Sequence, residues 1–416
     1  MTSNTERQRR VAVIGAGASG LTVAKRLKAE GLKVTVYERQ SGPGGVWKFT
    51  ENASDLFASP VYGSLETNFP RELMEFSDFL WTDFLSKDTV PVFPKRNAVE
   101  EYLRKYSKGV DVEYGTEVVK LLTPNWLQPY DWRLTTRRID SGKETIAHFD
   151  YVVMATGTFD RPFVPAYRGF RKWEEIVVVV GNSASGWDIS AQIAPAAEKL
   201  WVASTRPSDR SHAKAKAVKK VVRLAPGKRQ VIFDGGERAT KVDKIIFCTG
   251  YLYSSRFLRK GVRSEKPLHI FWTKQPRLAF IGIPKVTPTF LTSQAQSAAV
   301  ARAFSRRIDC LPTLEEMASW VKEKKATWNK KRKRGETGEN TFHNLEYPRC
   351  KDYIDGLERW CVEKDEEAEE KAPEDWVMLN RREIRAAFKK QESDEKTFPT
   401  PESLGLSPAA SQVGVD

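Results

Sequence analysis

Two glycine-rich turns, each placed between an apolar run and a helical pattern, constrain this chain more than any other feature. Residues 11–15 (VAVIG) form an apolar run of strand length that ends in glycine. Residues 18–30 then carry Leu21, Val23, Ala24 and Leu27 at helical spacing, closed by Gly31. A second strand, LKVTVYE, ends at Glu38. The turn itself reads Gly15-Ala-Gly17-Ala-Ser19-Gly20. Gly15 permits a tight strand-to-helix turn, Gly17 lets the backbone approach a pyrophosphate, and Gly20 lets helix and sheet pack closely; the amides at the helix start then hold phosphates. The Glu38 carboxylate can accept hydrogen bonds from ribose hydroxyls.

The second turn follows about 165 residues later as Gly181-Asn-Ser183-Ala-Ser185-Gly186. A strand is expected over 176–180, a helix over 184–194 and a strand over 199–203. Ser183 stands where the middle glycine would be, which leaves less room and adds a hydroxyl. Glu38 lies 23 residues after Gly15, and 23 residues after Gly181 lies Ser204. Ser204-Thr205-Arg206 therefore replaces a carboxylate with hydroxyls and a guanidinium. That set suits a 2′-phosphate and favours NADPH over NADH. One site with a ribose-binding acid and one with a phosphate-binding set suggest FAD plus NADPH, with the flavin accepting hydride from the nicotinamide.

The rest of the chain fits an α/β protein of two dinucleotide-binding (Rossmann-like) domains. Its 416 residues allow two or three domains. We expect the first part of a FAD domain over 1–162, an enclosed NADPH domain over 163–256, the second part of the FAD domain with C-terminal helices over 257–398, and a disordered tail over 399–416. Residues 41–94 read as loop and 97–107 as a helix. Residues 110–138, 144–154, 244–251 and 277–284 read as strands, 292–307 and 313–328 as helices, and 207–230 as a basic, poorly periodic stretch.

Composition narrows the function classes. Cys248, Cys310, Cys350 and Cys361 are scattered and the four histidines isolated, so no metal site is expected. Cys248 reads as a packing residue and His269 as a structural one. No run of eighteen apolar residues exists, and the polar N-terminus does not resemble a signal peptide; a cytoplasmic, soluble protein is the expectation. The net charge is +14. Half of it sits in residues 322–334, eight Lys/Arg against one Glu, and reads as a solvated helix face, so no nucleic-acid partner is expected.

Several further motifs resemble the flavin-containing monooxygenase family in its fungal form. Glu38-Arg39 followed by Gly44-Gly45-Val46-Trp47 is similar to that family's second FAD fingerprint. YGSLETNFPRELMEFSDF (62–79), FPKRNAVEEYLRKYS (93–107), Ala155-Thr156-Gly157, GNSASG, Thr249-Gly250-Tyr251, LAFIGIP and FHNLEYP (342–348) follow in family order. The resemblance spans roughly residues 10–360. It implies that NADPH reduces FAD, that O2 adds to give a C4a-hydroperoxyflavin, and that a small molecule with a nucleophilic nitrogen or sulfur takes the distal oxygen, in the manner of an N,N-dimethylaniline monooxygenase. It places Thr67 and Asn68 on the cofactor side, with Asn68 beside the flavin as the catalytic residue. The absence of a protein nucleophile or acid–base dyad agrees.

One departure stands out. The family pattern Phe-x-Gly-x-x-x-His-Ser-x-x-Tyr is missing between Gly157 and Gly181, a segment about twenty residues shorter than the resemblance implies. Residues 258–270 are also short. A tolerated deletion, an incomplete gene model and an uncoupled FAD-binding protein are three accounts of this. A Baeyer–Villiger monooxygenase is a further alternative, although its own long fingerprint is not visible.

Overall fold

In the computed structural model the described residues are 7–50, 57, 59–85, 91–122, 132–162, 178–205, 215–252, 258, 269–272, 275–307, 314–334, 342–345 and 349–363. The chain divides into two units, Met1–Gly157 with Ser255–Asp416, and Thr158–Ser254.

The first unit is built on β1 (Arg10–Ile14), α1 (Ala18–Ala29) and β2 (Lys33–Tyr37), followed by α2 (Arg96–Tyr106), β3 (Val112–Glu113), β4 (Thr116–Leu122), β5 (Trp132–Arg138), β6 (Glu144–Phe149) and β7 (Tyr151–Met154). A parallel sheet runs in the order β17-β7-β1-β2-β3, its edge strand β17 (Leu278–Phe280) arriving from far along the chain. Parallel strands are covered on both faces, which is why β1 from Val11 onward and β7 lack charged residues. Alternation sorts them between two cores. Val11, Val13, Tyr151 and Val153 face α1, where Leu21, Val23 and Leu27 are fully buried. Ala12, Ile14, Val152 and Met154 face Trp132 and Leu134 of an antiparallel sheet, β4-β5-β6. Each aliphatic side chain so buried is worth roughly 1.5–3 kcal/mol.

The expected strand over 144–154 is two strands in two different sheets. Asp150 breaks it: its carboxylate accepts the Arg10 amide at 2.7 Å and pairs with the Arg7 guanidinium, and its own amide donates to the Arg10 carbonyl. The expected strand over 110–138 likewise resolves into β3, β4 and β5, with 123–131 outside the described residues.

The loop-rich stretch is held by short 3-10 turns (Gly45–Trp47, Arg71–Leu73, Trp81–Asp83) and by aromatic packing. Phe76 stacks on Tyr106 with ring centres 4.5 Å apart, and the Phe76 amide donates to the Tyr102 hydroxyl. A helix expected over 292–307 is α4 (Thr289–Ser305), and it is buried on all sides. After it come α5 (Leu314–Lys333) and α6 (Arg349–Glu363). The basic run lies on the largely exposed C-terminal half of α5, which ends five residues beyond the 313–328 expected. The expected tail over 399–416 falls outside the described residues. Among the described residues no helix is long and apolar enough to cross a membrane.

The second unit contains β8 (Arg161–Pro162), β9 (Val179–Val180), α3 (Ala184–Ile193), β10 (Leu200–Ser204), β11 (Ala215–Lys219), β12 (Val221–Ala225), β13 (Gln230–Phe233), β14 (Arg238–Ala239), β15 (Ile246–Phe247) and β16 (Tyr251–Leu252). Strands β11-β10-β9-β15 form a parallel sheet, β12-β13-β14 an antiparallel one, and β16 pairs with β8. The stretch read as unperiodic holds β11 and β12. Its buried residues, Ala215, Val218, Val221 and Leu224, recur every third position, and the register shifts between Val221 and Arg223, so strand alternation is hidden. The strand expected over 244–251 is two short strands, separated at Gly250, which has φ +84°.

Glu75 is a carboxylate held in this packing at a cost. Its carboxylate accepts the Trp81 amide at 3.0 Å, yet burial raises its pKa from 4.5 to about 7. Between those values the folded chain keeps a proton that the unfolded chain has lost, so stability falls as pH rises through that window. Glu75→Gln should stabilise the protein at pH 8, on the order of 2 kcal/mol, and change little at pH 4. Thermal unfolding at both pH values checks this; equal shifts at both would contradict it.

Candidate dinucleotide sites

The first glycine turn is dictated by atoms for which there is no room. Gly15 has φ +104°, and a β-carbon there would lie 2.6 Å from the Ala155 carbonyl oxygen. A β-carbon on Gly20 would lie 1.8 Å from the Gly15 oxygen. Helix α1 therefore crosses the strand end at backbone contact, which only glycine permits. No side chain caps α1 at Gly17, so its first-turn amides are left to an anion.

Gly45 must be glycine because it lies against Gly17. The 3-10 turn carrying Gly45, Val46 and Trp47 folds over it: the Gly44 amide donates to the Ala16 oxygen at 3.0 Å, and a β-carbon on Gly45 would lie 2.8 Å from the Gly17 α-carbon. Val46 accepts the Ser59 hydroxyl, and Trp47 packs against the core beneath.

Glu38 is buried, and both its oxygens meet backbone amides, Ala16 at 2.7 Å and Gln40 at 2.9 Å. It thus fastens the glycine turn to the end of β2. Each oxygen keeps a second lone pair with which to accept a ribose hydroxyl. Arg39 lies over the Phe57 ring, 4.5 Å from its centre, and lines a 390 Å³ cavity with Gln40, Ser41, Phe57 and Gly115. Thr67 is buried, with its hydroxyl donated to the Phe69 carbonyl, whereas Asn68 is exposed. The Ser19 hydroxyl meets that of Ser293 at 2.8 Å.

The second turn repeats this geometry. Gly181 also has φ +104°, a β-carbon there would lie 2.3 Å from the Cys248 oxygen, and one on Gly186 would lie 1.9 Å from the Gly181 oxygen. Cys248 stands where Ala155 stands in the first turn, and burial raises its thiol pKa to about 11, which keeps it protonated and inert. The Gly15 amide donates to Tyr37 and the Gly181 amide to Ala203, both at 2.8 Å. The residues that follow, Glu38 and Ser204, are therefore structural equivalents, as their spacing predicts.

The two turns differ in two respects. Ser183 and Ser185 are exposed, so the middle position of this turn has no steric need of glycine. In place of the buried carboxylate, the Ser204 hydroxyl is buried with no hydrogen-bond partner among the described residues. A buried hydroxyl without a partner is costly, and a ligand oxygen would satisfy it. Thr205 is exposed beside it, and Arg206 lies outside the described residues. Both cradles thus fit dinucleotides, the first beside a carboxylate and the second beside hydroxyls.

Sequence reasoning passed over Ser293 on α4 and Gly282 after β17, which meet the first turn at Ser19, and Gln296, which bonds Gly282. The available signal was the polar run TSQAQS inside a helix that otherwise carries mostly alanine and apolar residues. His269 is buried, with Nε2 on the Lys324 ammonium and its ring against His343 and Tyr353. Burial, then Lys324 and His343, holds its pKa well below the usual value.

Gly45→Ala would meet both a left-handed backbone and the Gly17 α-carbon, and should greatly reduce the flavin retained on purification. Ser183→Gly should leave pyridine-nucleotide affinity essentially unchanged. Flavin content and nucleotide titration test the pair; intact flavin in the first, or lost affinity in the second, would contradict the steric account.

Comparison with known proteins places the chain. Residues 8–176 match the family model described as flavin-binding monooxygenase-like. The chain is 28% identical to the thiol-specific monooxygenase of Saccharomyces cerevisiae over 368 residues, covering 76% of this chain and 82% of that one. It is 31% identical to the flavin-containing monooxygenase FMO GS-OX1 of Arabidopsis thaliana over 376 residues, covering 78% and 80%. Among solved structures it is similar to S-allyl-L-cysteine S-oxygenase from Allium sativum, with a TM-score of 0.77, 27% identity, and coverage of 95% of this chain and 97% of that one. With its paired glycine turns and these relatives, the chain belongs to the flavin-containing monooxygenase family.

Proposed function

We propose that this protein is an NADPH-dependent flavin monooxygenase that oxygenates soft nucleophilic atoms, sulfur before nitrogen, on a small molecule. The observation that carries the cofactor assignment is the exchange of Glu38 for Ser204 between two turns of otherwise equal geometry. A buried carboxylate repels a 2′-phosphate and suits the ribose of FAD. A neutral hydroxyl, without a partner among the described residues and followed by Thr205 and Arg206, suits the phosphate that distinguishes NADPH. The preference for sulfur rests on relatives whose names state thiol and S-allyl-L-cysteine oxygenation.

When bound, the flavin supplies the activated oxygen. The protein's own part is binding, orientation and exclusion of water. Gly15, Gly17, Ser19 and Gly20 would present amides to the FAD pyrophosphate, with Glu38 holding the ribose and Arg39, Val46, Trp47 and Thr67 shaping the cradle. Asn68, whose exposed amide can both donate and accept, would stand beside the reacting flavin. Gly181, Ser183, Ser185 and Gly186 would hold the NADPH pyrophosphate. A soft nucleophile attacks unaided, so no protein base is required. A Baeyer–Villiger role is disfavoured because the relatives at 27–31% identity are thiol-specific, flavin-containing and S-oxygenating monooxygenases.

A second reading rests on the short stretch between Gly157 and Gly181, most of it outside the described residues: a flavoprotein whose two sites are uncoupled. Anaerobic reduction with NADPH followed by oxygen separates the two. Fast reduction and a long-lived oxygenated flavin are expected. Slow reduction, or immediate reoxidation with peroxide release, would favour the uncoupled reading.

The nucleotide assignment has its own test. Arg206→Ala and Ser204→Glu should each raise the Michaelis constant for NADPH far more than that for NADH. Equal effects on both nucleotides would sink the 2′-phosphate assignment.

A further inference from the structure

Helix α4 is buried on every side, yet it carries a fully buried amide. Gln296 Oε1 accepts the Gly282 amide at 2.9 Å, while Nε2 donates to the His269 carbonyl at 3.2 Å and to the Tyr353 hydroxyl at 2.9 Å. One turn earlier on the same helix, Ser293 meets Ser19 in the first turn of α1. Gly282 closes the circuit. It has φ +76°, and a β-carbon there would lie 2.7 Å from the Ser19 hydroxyl oxygen. The preceding residue, Ile281, donates its amide to the Met154 carbonyl at the end of β7. Three segments distant in sequence therefore converge on one amide. They are the loop after β17 that touches the glycine turn, the backbone at His269, and helix α6 through Tyr353.

We infer that Gln296 is a positioning residue that seats Gly282 against Ser19, holds the first turn of α1 in its dinucleotide-binding form, and couples helix α6 to occupancy of that turn. This inference rests on the reading of the first unit as the FAD site. The chemistry suits the task. A primary amide offers an acceptor and two donors in one plane, and a buried network whose members are all satisfied is rigid. An apolar residue of the same shape would leave the Gly282 amide, the His269 carbonyl and the Tyr353 hydroxyl without this partner. Coupling through such a residue is reciprocal: whatever binds at the turn must also quieten α6.

The test uses the full chain, stripped of flavin and retitrated with FAD, in four forms: wild type, Gln296→Met, Ser293→Ala and Tyr353→Phe. Gln296→Met should weaken FAD binding about tenfold or more. In the wild type, hydrogen exchange at Gly282 and along α6 should slow when FAD binds; in Gln296→Met the slowing at α6 should vanish. Tyr353→Phe should keep most of the FAD affinity while losing the protection of α6. Should Gln296→Met fail to fold, Ser293→Ala and Tyr353→Phe still separate the two arms of the network.

A Gln296→Met protein with a lowered unfolding temperature but unchanged FAD affinity and exchange response would overturn the inference and leave only a packing role. So would Ser293→Ala and Tyr353→Phe proteins that both behave as wild type. Failure of the wild type itself to bind FAD would be a different result, and would remove the reading of the first unit as the FAD site.

Discussion

Each unit is organised around a contact that a single β-carbon would forbid. The first turn of a helix lies on the carbonyl of the residue that follows the preceding strand, Gly20 on Gly15 and Gly186 on Gly181. This closeness brings the helix amides to the carboxyl end of the sheet. It also requires the next parallel strand to end on a residue whose carbonyl can sit beneath the turn. Ala155 does so in one unit and Cys248 in the other, and each is followed by Thr-Gly with the glycine at positive φ. The side chain beneath each turn is small, and its β-carbon lies close under the helix glycine.

What sits over each turn differs, and the difference is electrostatic as well as steric. The first turn is covered by a second pair of glycines and fastened by a buried carboxylate that spends one acceptor on each of two amides. The second has exposed serines and a neutral hydroxyl in the equivalent place. Two copies of one backbone motif thus offer environments of different charge, which is what a chain needs if it is to sort two related dinucleotides.

Much of this was legible because it is local. The glycine spacing, the apolar runs on either side of it and the 23-residue interval to Glu38 and Ser204 are properties of short windows, and the equivalence is present in the structure as the paired amide bonds to Tyr37 and Ala203. The illegible parts depend on distant partners. The steric need for glycine at position 45 arises only because that residue lands on Gly17. The helix over 289–305 could be recognised, but not that every side of it is covered, since its small residues give no amphipathic signal. Strands β11 and β12 were hidden by a buried position at every third residue, and the break at Asp150 by the identity of its partner, Arg10, at the other end of the domain.

That break has a mechanical consequence. Strand β6 belongs to the antiparallel layer and β7 to the parallel one, and only Asp150 separates them. There is no loop to take up slack. A displacement at the edge of the antiparallel sheet is therefore passed straight along four residues of β7 to Ala155, whose carbonyl forms the floor of the glycine turn. The layer that looks least concerned with nucleotides is geared directly to the surface on which one would rest, and substitutions along β6 should be felt there before they are felt in the helices.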